Sequence, residues 1–508
     1  MTDTLPKPKN GYAVVLTADR TSMAGYGALF GGMLSASQTT MVPGFIMKHM
    51  VAPCVESDGV RAAQAPLGLR RVEAALLNDG WERGEVAVVR PEDLDEAVGQ
   101  DTQIIGFSSG DPLGVGMNST TMAGILGGEI YTSRMFRDLA EKIGDFRDRW
   151  PGICTVMGGP GAWQLRDKPD AREELGIDHV VTGNCESNVA QLFRDIADRG
   201  SVETVLAGRD GVAGAIPSVR GATTMGSVEI SRGCGLGCQF CTLSRVPMRH
   251  VPEETILADV RTNVDSGVRT ASLITEDVFR YGAQGANVRP GALIGLMEKL
   301  RSSVDVGLVQ TDHANVGSVK QYSDEELRKV RELMAGDTDG QIWLNLGIET
   351  ASGELLASNG GRPKMVGCPP EEWGELCMEQ VHRLVRAGFL PLVSLVMGLP
   401  GETEDDVRRT FEWVERLEGE KVAVFPMFYA PPNDEDRAFA VDDMTDEHWR
   451  LFKQSYRLNF RWMPRLCWDN QSHSDVPLWR RLAIRAMSSV GTVWWKCIFA
   501  WRSGKLTV

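Results

Sequence analysis

Three closely spaced cysteines constrain this chain more than any other feature. Cys234, Cys238 and Cys241 form a C-x3-C-x2-C cluster directly after a short strand-like run, Val228–Ser231. Cysteine is the soft ligand that iron–sulfur clusters need, so three thiolates on one Gly-rich loop can hold three irons and leave the fourth open. An open iron is a reaction site. A zinc loop is the alternative, but zinc sites usually take a fourth Cys or His at a short repeated spacing, and only His250 lies nearby.

Composition limits where this protein can be located and which partners it can bind. The 508 residues are enough for two or three domains, and the seven cysteines outside the cluster show no regular spacing, which indicates a reducing compartment. The N-terminus lacks an apolar signal region, and no stretch reaches the ~20 apolar residues of a membrane span, so we predict a cytoplasmic protein. A net charge of −14 argues against nucleic acid as the main partner. A small-molecule or peptide substrate fits better.

Downstream of the cluster, strand-like and helix-like segments alternate. Together with Val228–Ser231, the predicted strands are Ala271–Ile274, Val304–Val309, Ile342–Ile348, Leu390–Met397 and Val422–Phe428. Ser323 followed by Glu326, and Thr403 followed by Asp406, are typical of helix N-caps. Repeated strand–helix units demand parallel strands with right-handed crossovers, so we predict a six-stranded parallel α/β unit.

This pattern resembles the radical S-adenosylmethionine (SAM) superfamily. The cysteine spacing, Phe240 before the last cysteine and the preceding strand carry the resemblance, and two later segments strengthen it: Leu346-Gly-Ile-Glu-Thr350 and Gly398-Leu-Pro-Gly-Glu-Thr403. The resemblance implies a partial (β/α)6 barrel and a [4Fe–4S] cluster on the three cysteines, whose open iron chelates SAM.

The same resemblance indicates which residues border SAM. Ligands of parallel α/β sheets gather at the carboxyl ends of strands. We therefore expect Phe240, Glu349 and the Gly398 turn to border the SAM pocket, and Glu276, after the second strand, is placed similarly. A carboxylate there could accept charge-assisted hydrogen bonds from the SAM amino group or ribose.

The first ~220 residues are predicted to form another α/β domain. Its expected strands are Ala13–Leu16, Val86–Val89, Ile104–Ser108, Cys154–Met157 and His179–Val181, and a strong helix is expected at Leu67–Leu77. Small or polar loops follow three of these strands, at Ser109–Gly114, Gly158–Ala162 and Thr182–Asn184. Glycine there lets the backbone approach a bulky ligand. Arg70 and Arg71, on the helix, are expected on a solvated face rather than against a ligand.

The order of these loops resembles the cobalamin-binding domain of cobalamin-dependent radical SAM proteins. Val156-Met-Gly-Gly-Pro160 followed by Asp178-His-Val-Val-Thr-Gly183 carries that resemblance. It implies cobalamin contacts from six residues: Ser108, Ser109, Gly158, Gly159, Thr182 and Gly183. There is no Asp-x-His-x-x-Gly, so we expect His179 to be packed and the cobalamin to have no histidine below the metal. A sheet domain that has lost its cofactor is the alternative.

The predicted division is a Rossmann-like cobalamin-binding domain at 1–220, a radical SAM domain at 221–435 and a small, mostly helical, Trp-rich region at 436–508. Seven of the thirteen tryptophans fall in this last region. We expect them to pack across the barrel and to complete part of the substrate pocket, in preference to membrane contact.

The parts together favour a methyltransferase. In the resemblance, an electron donor such as flavodoxin or ferredoxin reduces the cluster, SAM is cleaved, the resulting radical removes a substrate hydrogen, and cobalamin donates a methyl group to the carbon. A cobalamin-dependent radical SAM cyclase, oxidase or rearrangement enzyme, and a polar methyl transfer without hydrogen abstraction, are alternatives. A non-catalytic cobalamin or iron–sulfur sensor is another. The sequence assigns no catalytic side chain and does not identify the substrate.

Overall fold

The computed structural model describes residues 7–199, 202–211, 216–432, 437–474 and 476–502. Within them the chain forms two parallel α/β sheets in succession and then two long helices. The predicted fold class is therefore confirmed. The predicted boundary between residues 435 and 436 lies outside the described residues, since 433–436 are not described.

The first sheet has six parallel strands. They are β1 (Val14–Ala18), β2 (Val86–Val88), β3 (Ile104–Ser108), β4 (Cys154–Gly158), β5 (His179–Thr182) and β6 (Val205–Ala207). Their order in the sheet is β2-β1-β3-β4-β5-β6, so the order reverses between β1 and β3. In open parallel sheets, ligands bind at the carboxyl ends of strands beside such a reversal.

Helices cover both faces of this sheet, which explains its nearly continuous apolar strands. The principal helices of this part are α1 (Leu29–Ala36), α2 (Leu67–Asn78), α3 (Met117–Leu126), α4 (Tyr131–Arg149) and α5 (Val189–Ala197). Two apolar clusters form, one on each side of the sheet. Strand β6 is absent from the sequence prediction because its three residues show no periodicity.

The second sheet follows the cysteine region. Its strands are β7 (Ser227–Glu229), β8 (Ala271–Ile274), β9 (Val309–Thr311), β10 (His313–Asn315), β11 (Ile342–Glu349), β12 (Phe389–Met397) and β13 (Ala423–Phe428). They run parallel in sequence order, in two hydrogen-bonded sections, β7 to β9 and β10 to β13. The Asn345 N–H donates to the Asp312 carbonyl at 2.7 Å, so β9 and β10 are one strand interrupted at Asp312. Six consecutive parallel positions make the predicted partial barrel.

Five longer helices connect these strands. They are α6 (Glu253–Asp265), α7 (Pro290–Ser303), α8 (Asp324–Ala335), α9 (Trp373–Arg386) and α10 (Glu404–Glu415). Ser323 and Thr403 cap α8 and α10 in reciprocal capping boxes with Glu326 and Asp406, as the sequence predicts.

The prediction of the third barrel strand is wrong. Val304–Val309 was expected to be the strand, but the strand begins at Val309 and continues past Asp312 to Asn315. Val304, Val306 and Leu308 are buried, and so the apolar run packs into the core before the strand begins. The strand itself has several polar side chains because its end opens onto a cavity.

Buried ion pairs join the two sheet domains. Arg71 on α2 pairs with Asp259 on α6 at 2.5 Å, and both side chains are at most 4% exposed. Arg70 is also buried and pairs with Glu73. The expectation that both arginines lie on a solvated face is therefore wrong: α2 packs against the strand that leads into the barrel, where Arg70 donates to the Ala222 carbonyl at 3.1 Å.

A second link lies two residues before the first cysteine. Arg232 contacts Glu186 of the first domain at 3.0 Å and Glu229 of β7 at 2.6 Å, and it also pairs with Asp210. The Arg232 side chain is 9% exposed. Although burial opposes the charged form, these carboxylates raise the pKa of Arg232. The cation therefore ties the first domain to the base of the cysteine loop.

The C-terminal region consists of two long helices, α11 (Asp446–Ser472) and α12 (Leu478–Arg502). Asn459 of α11 makes hydrogen bonds to both the N–H and the carbonyl of Val424 in β13, at 2.7 and 2.6 Å. Trp495 and Phe499 of α12 pack on Tyr456 of α11. Among the described residues, no helix has the length and apolarity needed to cross a membrane.

Candidate cofactor site

A cavity of about 350 Å³ lies where the barrel strands end, between the barrel and the first domain. The barrel supplies, among others, the three cysteines, Phe240, Glu276, His313, Asn315, Glu349, Lys364 and Ser394. The first domain supplies Val115, Gly116, Met117 and Trp163. Its volume lies in the usual range for ligand pockets. The structure thus brings the cysteine loop and the first domain to one space.

The cysteine loop is held in shape by backbone hydrogen bonds and glycines. The Cys234 N–H donates to the Val246 carbonyl at 2.9 Å, which closes the loop at its base. Gly233 has φ of +78°, and a Cβ there would lie 2.6 Å from the Pro247 carbonyl oxygen. Only glycine fits such a position. Arg280 donates to the Cys234 carbonyl at 2.8 Å and lies 3.9 Å from its Sγ.

The three cysteines fit an iron–sulfur cluster. All three line the cavity, and burial raises the pKa of each thiol, that of Cys238 to about 11. Iron binding must therefore displace protons from these thiols. No three His, Cys, Asp or Glu side chains of the described ranges converge on a single ion position. A cluster needs no such convergence, because each thiolate binds a different iron, whereas zinc requires it.

Glu349 sits at a distorted point of its strand. The pairing of β11 with β12 shifts register between Gly347 and Glu349, and Glu349 has φ of +69°, which is uncommon for a residue with a side chain. Its Oε1 accepts a hydrogen bond from the buried Lys364. A Cβ at Gly347 would lie 2.6 Å from that oxygen and 2.8 Å from the Lys364 Nζ. Gly347 therefore makes room for the ion pair, which faces the cavity.

A second charged group faces the cavity from β8 and β10. Burial raises the pKa of Glu276. Burial lowers the pKa of His313, but Asp312, 3.2 Å away, outweighs it and the pKa of His313 rises to about 9. His313 is therefore a cation at neutral pH. Asn345 holds Asp312 in place with a hydrogen bond of 2.8 Å.

Gly398 is not among the cavity-lining residues, although the sequence places it at the pocket. It lies under Phe439, where a Cβ would be 2.2 Å from the ring, and its N–H donates to Glu402 at 2.8 Å. The turn is connected to the cysteine loop through Asn359. The Asn359 side chain donates to the Pro400 carbonyl, and the Asn359 backbone carbonyl accepts from the Gln239 N–H of the cysteine loop, both at 3.0 Å.

The two loops after β3 and β4 lie against each other. Ser108 pairs with Gly158 in the sheet, and a Cβ at Gly159 would lie 2.1 Å from the Ser108 Oγ. The Gly161 N–H donates to the Ser109 carbonyl at 3.0 Å. These residues do not line the cavity themselves; residues 115–117 and 163, farther along the same loops, do.

Asp111 holds these cavity-facing segments together. Its carboxylate accepts hydrogen bonds from the N–H groups of Val115 and Gly116, at 3.0 and 3.1 Å, and from Gln164 at 2.6 Å. One side chain thereby positions both loops.

The loop after β5 does not reach the cavity. The Thr182 carbonyl accepts from the Gly208 N–H at 2.8 Å, and the Gly183–Asn184 segment lies against Gly208. The close contact is at Gly208, where a Cβ would lie 2.5 Å from the Asn184 carbonyl oxygen, whereas Gly183 has open space around it and a φ of +80°. His179 begins β5, at the edge of the sheet opposite these loops, and its ring is hydrogen-bonded to the Glu203 carbonyl at 2.9 Å. It is half-buried.

Sequence reasoning missed His313, Lys364 and Ser394. His313 was missed because the strand that carries it was placed too early in the chain. Lys364 lies in the short helix Arg362–Met365, where no motif indicates a buried cation. The C-terminal region contributes no described residue to the cavity, so the expectation that it completes the pocket is wrong.

Comparison with known proteins gives a family match for the barrel. Residues 228–414 match the model of the Radical SAM superfamily. That stretch includes the three cysteines, Glu276 and Glu349. The predicted pair of a [4Fe–4S] cluster and SAM is the cofactor set of this superfamily, and that part of the prediction is confirmed.

Curated relatives include two ribosomal protein uS12 methylthiotransferases named RimO. The one from Pseudomonas fluorescens (strain Pf0-1) is 27% identical over 235 residues, which are 44% of this chain and 50% of that protein. The one from Myxococcus xanthus (strain DK1622) is 26% identical over 313 residues, 60% of each. The chain thus spans about half to three-fifths of the length of these relatives.

The fold extends the likeness to the first domain. Two structures of the radical SAM methyltransferase TsrM from Kitasatospora setae match with TM-scores of 0.52. One contains tryptophan substrate and a SAM analogue, at 14% identity over 83% of this chain and 75% of that one. The other contains cobalamin and a [4Fe–4S] cluster, at 16% identity over 82% and 75%. The cysteine loop with its supporting glycines and the family match over 228–414 together show that this chain carries a radical SAM domain.

Proposed function

We propose that this protein is a cobalamin-dependent radical SAM methyltransferase that adds a methyl group to a carbon of a small molecule or a peptide. The observation that carries the proposal is the shared cavity: Cys241 on one side and Met117 and Trp163 on the other line a single space. Transfer between two cofactors requires one cavity, because proximity supplies much of the rate and a diffusing radical would be quenched.

We assign the cluster to Cys234, Cys238 and Cys241. When bound, the cluster supplies the electron that cleaves SAM, and cobalamin supplies the methyl group. Glu349 Oε1 is engaged by Lys364, so we assign its Oε2 to the SAM amino group. Glu276 is the second carboxylate that we assign to SAM.

The first domain contributes shape rather than charge. Val115, Met117 and Trp163 give an apolar surface, and Gly116 leaves backbone exposed beside it. Such a wall suits a flat corrin and excludes water. The loops after β3 and β4, including Ser108, Ser109, Gly158 and Gly159, are proposed to support this wall. Thr182 and Gly183 do not line the cavity, and the Thr182 carbonyl accepts from the Gly208 N–H, so neither residue is part of this proposed wall. An electron donor such as flavodoxin or ferredoxin is the proposed partner.

Methylthio transfer is the second candidate, favoured by the RimO relatives. The two differ in the product, since a methylthio group brings sulfur and a methyl group does not. In the first domain, Cys154 begins β4 whereas Cys185 follows β5, so these two thiols lie at opposite ends of neighbouring parallel strands. That arrangement favours the cobalamin proposal over a second cluster held by both of them.

Anaerobic reconstitution tests the proposal. Protein made in cells supplied with cobalamin is reconstituted with iron and sulfide, reduced, and given SAM with a deuterated methyl group together with a metabolite extract. We expect 5′-deoxyadenosine and a product carrying deuterium but no added sulfur, seen by high-resolution mass spectrometry. Absence of 5′-deoxyadenosine would contradict radical chemistry. A sulfur-containing product would make the protein a methylthiotransferase.

A further inference from the structure

We propose that helix α12 binds the surface of an anionic lipid bilayer. Its exposed side carries a set of large apolar residues, each 51–74% exposed, which we call the apolar face: Leu478, Trp479, Leu482, Val490, Val493 and Trp501. Ten large apolar side chains are strongly exposed in the described part of the chain, and six of them are on this helix. Concentrated exposure of this kind marks an interaction surface.

The helix is apolar on two sides, and the protein covers only one. At about 100° per residue, the apolar face lies on one side of α12. Phe499 and Ile484 lie on the opposite side and are buried, at 1% and 6% exposure. An apolar stripe on a helix normally packs against another surface, and in α12 only one of the two apolar sides does so within the protein. The apolar face of α12 is thus built for a second environment.

The apolar face extends onto a neighbouring segment. Arg480 is buried and donates to the carbonyls of Met50 and Gly25, at 3.0 and 2.9 Å. It ties the start of α12 to the short helical segment 44–51. Phe45 and Met41, in and just before that segment, are two of the four remaining strongly exposed apolar side chains, at 67% and 51%.

Charge identifies the partner as anionic. The sequence has no Asp or Glu between residues 20 and 55, nor from residue 476 to its last residue. At the average of 68 acidic residues in 508, two segments of this combined length would hold about nine. Lys48, Arg485 and Lys496 are exposed in these segments. In a chain of net charge −14, this region is selectively cationic, and it would attract negative lipid headgroups.

Basic and aromatic side chains also line a groove beside α12. A cavity of about 360 Å³ lies between α11 and the barrel, with Arg485 of α12 at its side; Lys421, Arg465, Trp462 and Trp468 line it, together with one carboxylate, Asp469. The Arg485 guanidinium lies 5.1 Å from the centre of the Trp468 ring. Amphipathic helices with basic and Trp residues lie in the plane of the bilayer interface. The sequence does not show which tryptophans remain exposed, and so membrane contact is not predicted from it.

Vesicle binding tests this proposal independently of the enzyme's chemistry. The full-length protein is mixed with vesicles of phosphatidylglycerol and phosphatidylcholine, or of phosphatidylcholine alone, and sedimented. We expect binding to the anionic vesicles only, weakening with added salt. The variant Leu482→Glu/Val490→Glu/Val493→Glu should lose binding. These side chains are exposed, so circular dichroism should show an unchanged fold.

Two further variants separate charge from apolar contact. Arg485→Gln and Lys496→Gln should each weaken binding about fivefold. The control Arg269→Glu/Lys299→Glu/Lys329→Glu changes more charge on exposed barrel residues and should still bind through α12. No binding to anionic vesicles, or equal binding to neutral ones, would overturn the proposal. So would self-association, measured by light scattering, that the triple apolar variant abolishes, because the face would then join two copies of the chain.

Discussion

The two walls of the cavity are built from opposite kinds of residue. The barrel wall carries the three thiols, two carboxylates, His313, which pairs with Asp312, and Lys364, which pairs with Glu349. The wall from the first domain carries Val115, Gly116, Met117 and Trp163, with no charged side chain. A charged wall recognises a small polar ligand through directional hydrogen bonds and ion pairs. An apolar wall with exposed backbone recognises a large flat one by shape.

The walls also differ in how they are held. The barrel wall depends on strands whose ends face the cavity and on a short loop closed by its own backbone. The other wall depends on Asp111, which joins two loops, and on distant ion pairs that keep the domains together. The reactive and charged side chains are therefore concentrated in the barrel wall, and the position of the other wall depends on the interface between the two domains.

Removal of the thiols should have the largest effect. The variant Cys234→Ala/Cys238→Ala/Cys241→Ala leaves the barrel wall without iron ligands, so we expect loss of essentially all cluster iron, which is about four irons in the reconstituted parent. Iron and sulfide assays and the visible absorbance measure it. Cys368→Ala, outside the cavity, is the control. Normal cluster content in the triple variant would refute the assignment.

Breaking the domain link should come next. Arg232→Met leaves Glu186, Asp210 and Glu229 without their shared cation, and removal of one partner from a buried ion pair costs about 3–5 kcal/mol of unfolding free energy. Arg249 also pairs with Asp210, but its side chain is 58% exposed, so Arg249→Met should cost about 1 kcal/mol or less. Urea unfolding midpoints compare the two. Equal shifts would show that the link does not hold the walls together.

The carboxylate of the barrel wall should matter for SAM affinity. Glu349→Gln keeps an oxygen for Lys364 but removes the charge, and loss of a charge-assisted hydrogen bond should weaken SAM binding about tenfold or more. Titration of SAM into cluster-loaded protein measures this. Glu354→Gln, exposed and paired with Arg409, is the matched control. Unchanged affinity with an intact cluster would place SAM elsewhere.

A change that distorts the wall from the first domain should have the smallest effect and should leave the barrel wall and its cluster unaffected. A Cβ at Gly161 would lie 2.3 Å from Pro112 and 2.9 Å from the Ser109 carbonyl oxygen, so Gly161→Ala must shift the loops. We expect cobalamin content to fall about threefold, in line with an overpacking cost of roughly 1 kcal/mol, with cluster iron unchanged. Gly110 has open space around it, and Gly110→Ala should retain cobalamin. If both variants retain it, these loops do not hold the corrin.

Much of the barrel could be predicted from the sequence, because its signals are short. The cysteine loop lies within eight residues, and the capping boxes at Ser323 and Thr403 within four. The Gly347–Glu349 segment is also a short signal, because Gly347 leaves room for the side chain of Glu349 and for the lysine that pairs with it. Strand positions were predictable where apolar runs coincide with strands, and the prediction failed at Val304–Val309, where the run is core and the strand is polar.

Only the tertiary structure decided what meets across the cavity and between the domains. Arg71 and Asp259 are 188 residues apart, and Lys364 reaches Glu349, at the end of β11, from a separate short helix. No local pattern records such pairs, because a buried charge is stabilised by whichever partner the packing brings to it. The same holds for α12: its sequence is apolar on two sides, and the fold alone determines which side Tyr456 covers and which side, with Trp479 and Val493, is left to meet another surface.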